Sequence, residues 1–427
     1  MSEVAQVTHS SPDGHIPQLR FPEFVGEWET NNLLSLSKVK MSNGVFNDPK
    51  KVGSGYRLIN VKDMYVEGKI DVNTLTLLEL EKNEFEKNKA IWGDVFFTRS
   101  SLVREGIAFS NAYLDEFQDV TYDGHLVRMR PNQDKIETLF LSYSLKTSSS
   151  RKQFIVRGKT TTMTTIGQED ISTVVISYPT KPEQQKIAAF LTAVDNKIEQ
   201  LSKKQALLGE YKKGLTQQIF SQAIRFKADD GSDFPDWKEK KLENVLKRTS
   251  TGLNPRQNFK LGYGENYYVT IKNISNGKLD FSKCERIDEN AMTMIANRSD
   301  LSKGDLIMSS IGNVGESYLL DKEPENWNIN ESVFMLRASE LMLPQFLYFI
   351  ITNEQSKWYL ESNSTGSSFK SIKLGELKLL PLGLPSLEEQ TKIANFLSSI
   401  DTKIEQVGKQ LDESKQFKKA LLQQMFV

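Results

Sequence analysis

The sequence predicts an α/β protein: two mixed α/β domains alternate with two long helices, and the helices pair as an antiparallel coiled coil about a pseudo-two-fold internal repeat. Three observations predict it. The stretch from Pro182 to Phe220 recurs from Glu388 to Phe426, and Lys186-Ile187-Ala188 returns as Lys392-Ile393-Ala394, 206 positions later in a chain of 427. Both copies hold one apolar heptad frame. The segments between them share short landmarks in the same order.

Residues 1–17 read as a disordered tail, without the apolar stretch of a signal peptide. The first domain is expected over 18–179. A helix follows over 180–224, then a linker over 225–233. The second domain occupies 234–385 and the last helix 386–427.

In the first helix the seam positions are Ile187, Leu191, Val194, Ile198, Leu201, Leu208 and Leu215; in the second they are Ile393, Leu397, Ile400, Ile404, Val407, Leu411 and Leu421. Alternating steps of four and three place them on one face. Lys212 and Lys418 interrupt the frame at the same place in both copies. Thr180-x-x-Glu183 and Ser386-x-x-Glu389 have the form of capping boxes, and Pro182 sits in the first turn, where its missing N–H costs little. At 1.5 Å per residue each helix would span about 55–60 Å. Two copies related by a two-fold perpendicular to their axes run antiparallel, which would bring the chain end at Phe426-Val427 near Phe21-Pro22.

Within the domains, Phe21-Pro22 is answered by Phe234-Pro235, and Trp28 by Trp237. Ile59 to Met64 is answered by Val269 to Ile274, Gly93 to Thr98 by Gly304 to Ser309, and Leu126 to Arg130 by Val333 to Arg337. Most of these are short apolar or alternating runs bounded by Gly, Asp or Asn, as strands are. Phe140-Leu141 and Phe346-Leu347 open a helix in each domain. The acidic stretch Glu79 to Glu86 reads as the solvated face of a helix.

Lys+Arg and Asp+Glu number 55 each, so net charge is zero, which argues against a free-standing nucleic-acid binder and allows one that shares its contacts with partners. No apolar run approaches the roughly 18 residues of a membrane span. Cys284 is the only cysteine, so intrachain disulfides and cysteine-rich zinc sites are excluded, and the expected compartment is the cytoplasm. No phosphate-binding glycine loop, nucleophile elbow or His/Cys cluster occurs. Asp48-Pro49 and Asn254-Pro255 lack the second proline of an adenine-methyltransferase tetrapeptide. Catalysis by this chain alone is not expected, and no metal site is.

Two loop regions have the chemistry of a nucleic-acid contact, with small hydroxyls beside glycine and a base. One contains Arg99 and Ser100, answered by Ser309, Ser310 and Asn313. The other contains Arg151, Lys152, Arg157, Lys159, Thr160 and Thr161, answered by Ser364, Thr365, Ser367, Ser368 and Lys370. A structural coiled-coil adapter with no nucleic-acid role is the competing function. It leaves two polar-looped domains with unlike fillings unexplained.

The Pro-x-x-x-Glu-Gln entries at Pro179 and Pro385, the KIAxFLxxxDxKIEQ stretch after each, the opening Phe-Pro-Glu-Phe-x-Gly-x-Trp of residues 21–28, and Gly-Asp-Val-Phe-Phe-Thr-Arg-Ser at 93–100 carry a resemblance. The chain resembles, over essentially its whole length, the specificity subunit of type I restriction–modification enzymes. The second domain has Ile311 in place of Arg99. The resemblance implies two target recognition domains that each read one half of a bipartite site on double-stranded DNA. It implies that the paired helices set the unread spacer and dock two modification subunits. S-adenosylmethionine, ATP and Mg2+ would then act through the modification and restriction subunits, with none bound by this chain.

Overall fold

The computed structural model describes residues 15–66, 68–256, 258–367 and 369–427. The chain divides into two compact units. The first holds residues through Lys203 together with Gly408–Val427, and the second holds Lys204–Val407. The cut falls inside both long helices, so each helix contributes one end to each unit.

The first unit is built on a four-stranded antiparallel sheet in the spatial order Ser42–Asn43, Leu126–Met129, Val95–Thr98, Ser110–Ala112. A three-stranded sheet orders Thr76–Leu78, Val52–Ile59 and Val120–Tyr122, the last pair parallel. Glu29–Asn32 pairs with Val175–Tyr178.

The second unit repeats this topology. Its four-stranded sheet orders Leu246–Thr251, Val333–Ala338, Leu306–Ser309 and Ser317–Leu319. Its three-stranded sheet orders Glu285–Ile287, Asn266–Val269 and Trp327–Ile329, again with the last pair parallel. Lys238–Lys241 pairs with Pro381–Leu384. Gly44 and Gly252 occupy matching places: a Cβ there would lie 1.9 Å from the Tyr122 carbonyl oxygen and 1.7 Å from that of Ile329. Only glycine permits that backbone approach.

The central strands Val95–Thr98 and Leu306–Ser309 are buried on both faces, as their unbroken apolar runs require. Each is preceded by a buried aspartate. Asp94 accepts two bonds from Arg130 at 2.7 and 2.9 Å, and Asp305 two from Arg337 at 2.7 and 2.8 Å. A buried carboxylate needs such a partner, because desolvation otherwise outweighs what it gains. The Ile59 and Val269 landmarks depart from the strand expectation. Each strand ends there, and a 3-10 turn follows over Val61–Met64 and Ile271–Asn273. Asp63 and Asn273 hold those turns by accepting the backbone N–H of Asn60 and Thr270. The helices opened by Phe140 and Phe346 are present as Thr138–Ser144 and Pro344–Thr352. The acidic stretch lies largely on Lys82–Asn88, where Phe85 alone is buried.

The long helices run Lys181–Phe220 and Leu387–Gln424. None of the fourteen expected seam residues is exposed. In the first unit Ile187, Ala188 and Leu191 share a core with Leu421, Met425 and Phe426, and Asp195 then meets Lys418 at 2.6 Å. In the second unit Ile219 shares a core with Ile393, Ala394 and Leu397, and Lys212 then meets Asp401 at 2.6 Å. In each unit one helix number rises as the other falls, so the segments pair antiparallel. The two ion pairs are the same pair displaced by 206 positions.

The helix entries keep only part of the expected capping boxes: Ser386 Oγ accepts from Glu389 N at 3.3 Å, but the glutamate side chains do not return to the caps. Glu183 and Glu389 are buried and turn away from their own caps. Arg20 grips Glu183 at 2.7 and 2.8 Å, and Arg225 grips Glu389 at 3.3 and 2.9 Å. The neighbouring glutamines finish the joint. Gln184 accepts from Glu137 N and donates to the carbonyls of Lys135 and Pro179. Gln390 accepts from Leu343 N and donates to the carbonyls of Leu341 and Pro385.

The segment boundaries shift accordingly. Met1–Gly14 lie outside the described residues, but His15 accepts a bond from Trp28 N at 2.8 Å and Pro17 is buried, so residues 15–17 are packed and not a tail. The central helix ends at Phe220, short of 224. The expected linker begins with Arg225 in the joint and Phe226 edge-on to Phe396. Phe21 makes the same contact with Phe190, so Arg225-Phe226 takes the place of Arg20-Phe21, whereas Phe234 lies under Lys392 as Phe21 lies under Lys186. At the chain end, Leu19 N donates to Gln424 O at 2.8 Å, and Phe426 packs on Trp28 and Phe140. Phe220 packs in the same way on Trp237 and Phe346.

Candidate nucleic-acid interface

The two polar regions singled out in the first domain meet in space. Ser100–Ser101 pairs with Thr164–Thr165, which turns back to pair with Lys159–Thr160. This small three-stranded sheet is mounted on the central strand, because Ile166 N donates to Arg99 O at 2.9 Å. It carries exposed Arg99, Lys159, Thr160 and Thr161, with Ser100 half-buried. The Arg99 guanidinium donates to Gly124 O at 3.2 Å, and Lys159 lies 3.7 Å from Asp170.

The second domain builds the same mount with fewer bonds. Thr365 and Ser371 exchange backbone bonds at 2.8 and 2.9 Å, Ile311 bridges to Ser371, and Ile372 N donates to Ser310 O at 3.0 Å. This pairing places Ser310 at the position of Arg99 and Ile311 at that of Ser100. The sequence correspondence of Ile311 with Arg99 is therefore one residue off. Ser367 and Lys370 are exposed on the hairpin, and Asn313 is exposed in the turn after Ile311. Ser368 lies outside the described residues.

Five of the other expected contacts are engaged inside the fold. The Arg151 guanidinium donates to the carbonyls of Ala108 and Glu105, both at 2.8 Å, and of Ile107. Burial pulls its pKa below the usual arginine value. Arg157 is tied to Thr173 and to Gln153 O. Ser309 and Ser310 are buried, and their hydroxyls donate to Ile311 O and Ser332 O. Ser364 donates to Leu360 O at 2.6 Å. Their donors face the protein, so they leave the candidate set. Lys152 is exposed on the helix Ser148–Arg157.

A second pair of matching loops was missed. Phe46, Lys50 and Lys51 are exposed in one domain, and Arg256, Lys260 and Tyr263 in the other. The signal was present as Asn-Asp-Pro-Lys at 47–50 and Asn-Pro-Arg at 254–256. An Asx-Pro turn that projects a base is a loop device, and the same dipeptides that lack the second proline of a methyltransferase motif serve that purpose.

Among the described residues, no group of three or more His, Cys, Asp or Glu is placed to hold a metal ion. None of the described helices is long and apolar enough to cross a membrane. His125 is exposed beside Asp123, in the turn before Leu126–Met129. Burial pushes the Cys284 thiol up to about 11.

Comparison with known proteins agrees with this architecture. The family model described as "Type I restriction modification DNA specificity domain" matches twice, over residues 26–208 and 235–413. The putative type I restriction enzyme MjaX specificity subunit of Methanocaldococcus jannaschii is 24% identical over 410 residues, covering 94% of this chain and 93% of that one. The type I restriction enzyme HindI specificity subunit of Haemophilus influenzae is 26% identical over 198 residues, 45% of this chain and 41% of that one. The crystal structure of the type I restriction–modification S subunit from M. genitalium superposes with a TM-score of 0.59 at 15% identity, over 96% of this chain and 99% of that one. With two copies of the domain covering most of its length, the chain belongs to the type I restriction–modification DNA specificity family.

Proposed function

We propose that this chain is the DNA sequence-recognition subunit of a type I restriction–modification complex, in which each domain reads one half of a bipartite site. The observation that carries this reading is the double match: one fold occurs twice and its long helices and their entries repeat 206 positions apart, yet the exposed loops of the two domains differ. Equivalent scaffolds with unlike surfaces suit two different half-sites. The exposed Arg99, Lys159 and Lys370 suit phosphate contacts, and the threonine and serine hydroxyls beside them suit base edges.

In this reading the paired helices form an antiparallel coiled coil that acts as a spacer ruler. A pair about 55–60 Å long is matched in scale to half-sites about 34–36 Å apart, one DNA turn. The same helices dock two modification subunits, which together with restriction subunits carry out methyl transfer and cleavage in the cytoplasm. S-adenosylmethionine, ATP and Mg2+ act there, in the partner subunits. Shared phosphate contacts reconcile DNA binding with a net charge of zero.

Mapping methylated adenines across the host genome tests this. The expected result is a bipartite consensus that disappears when this chain is deleted. A contiguous consensus, or one unchanged by the deletion, overturns it. Adding four residues after Thr180, about 6 Å of helix, should lengthen the preferred spacer by roughly one or two base pairs.

A further inference from the structure

The two hairpins share one feature that their polar composition hides. The first turns between Thr160 and Thr164, and the second between Thr365 and Ser371. Each turn carries one large apolar residue at its tip, Met163 in the first and Phe369 in the second, and these too are 206 positions apart. Both project outward: Met163 is 39% exposed and Phe369 75%. A single exposed apolar side chain needs no explanation. The same position exposed in both domains, among bases and hydroxyls, does.

The local geometry holds these tips up. In the first hairpin Thr161 N donates to Met163 O at 3.1 Å, and the Thr160 and Thr164 hydroxyls meet at 3.0 Å. In the second, Gly366 takes φ +101°, and a Cβ there would lie 2.4 Å from Phe369 O. Only glycine allows the turn that presents Phe369. The residue after it, Lys370, accepts a bond at its carbonyl from Gly312 N at 2.8 Å, so the tip is fastened to the turn that follows the central strand. An apolar group on a rigid mount, flanked by Lys370 or by Thr160, Thr161 and Thr162, meets the needs of a base contact. Cations and hydroxyls hold the backbone, while the apolar tip packs on a thymine methyl or against an opened base step.

We propose that Met163 and Phe369 are specificity-determining contacts, one for each half-site, with Phe369 acting as an aromatic wedge against the base stack. The assignment rests on the DNA-recognition reading above. Phe is the stronger wedge because its flat ring can fill an unstacked step. Met is flexible and suits a shallower apolar contact.

The test uses the full chain assembled with its modification subunits. Wild type, Phe369→Ala, Phe369→Leu and Met163→Ala complexes each select from one duplex library with randomised positions. Affinities for the wild-type consensus are then measured across a salt series, and 2-aminopurine placed at each consensus position reports unstacking. Phe369→Ala should erase base preference at one or two positions of one half-site only, weaken binding about tenfold or more, and abolish the 2-aminopurine signal there. Its salt slope should not change, since no phosphate contact is lost. Met163→Ala should do the same to preference in the other half, and Phe369→Leu should retain more than Phe369→Ala. If wild type selects a bipartite consensus and both alanine variants select the same one with equal affinity, the tip assignment is wrong and the function stands. Equal loss in both halves overturns it as well. If wild type selects no bipartite consensus, the function itself fails and takes this assignment with it.

Discussion

The two joints where a long helix leaves its domain are made of the same parts, whereas the two hairpins carried by those domains share a backbone and little else. At the joints, Arg20 with Glu183 and Gln184 is matched by Arg225 with Glu389 and Gln390, and Trp237 Nε1 adds a bond to Glu389 at 3.0 Å, which Trp28 does not make to Glu183. On the hairpins, Lys159-Thr160 and Met163 face Thr365 and Phe369. The difference shows where equivalence matters. A buried carboxylate tolerates few environments, so a joint that orients a helix has one good solution. A hairpin tip in water tolerates many, so it can differ between domains at no cost to the fold.

Removing a joint carboxylate should have the largest effect. Glu183→Ala leaves Arg20 buried without its ionic partner and should cost about 3–5 kcal/mol, read as a fall in the denaturant midpoint. Glu389→Ala made in a Trp237→Phe background, which sets aside the Trp237 Nε1 bond to Glu389, should cost less, because Arg225 is more exposed than Arg20 and can be hydrated. Equal losses would show that the arginines are not what separates the two joints.

The seam lysines test the comparison more gently. Each ion pair is partly exposed, so Lys418→Met and Lys212→Met should each change stability by less than about 1 kcal/mol. Lys212→Met should cost more. Asp195 keeps the Tyr143 hydroxyl at 2.8 Å, whereas Phe349, which fills the place of Tyr143, offers Asp401 no hydroxyl. The reverse order in urea titration would break this account of the seam.

On the hairpins, Lys159→Ala and Lys370→Ala should each lower the slope of log K against log salt by about 0.9 if each lysine neutralises one phosphate. Unchanged slopes would move the phosphate contacts to the loops bearing Lys50 and Arg256. The smallest effect concerns Cys284, which belongs to the second unit alone. Burial holds its thiol protonated up to about 11, so alkylation of the folded chain should be slow at pH 8 and quicken as pH rises toward that value. The raised value favours the folded state below the ordinary thiol pKa, and this contribution is lost as pH climbs through about 11. Fast labelling at pH 8 would mean that the second unit opens locally around Cys284.

The seam residues were legible because heptad spacing is local, and a run of about forty residues leaves little doubt about which face is buried. The strands around Val95 and Leu306 were legible for a similar reason, as apolar runs closed by Gly-Asp. The site was less so. Arg151, Arg157, Ser309 and Ser310 have the right chemistry for DNA, and nothing in their neighbourhoods distinguishes them from Lys159 or Lys370. The carbonyls that bind the Arg151 guanidinium belong to residues 43–46 positions away.

By itself the sequence determined the repeat, the two helices, their buried faces and the family, because periodicity and duplication are written in consecutive residues. Tertiary structure alone decided which polar side chains stay free for a ligand. It turned Glu183 and Glu389 from caps into anchors, drew Arg151 inward, and lifted Met163 and Phe369 outward. The physical reason is that a donor is satisfied by whatever acceptor the fold brings near, and that acceptor is rarely close in the chain.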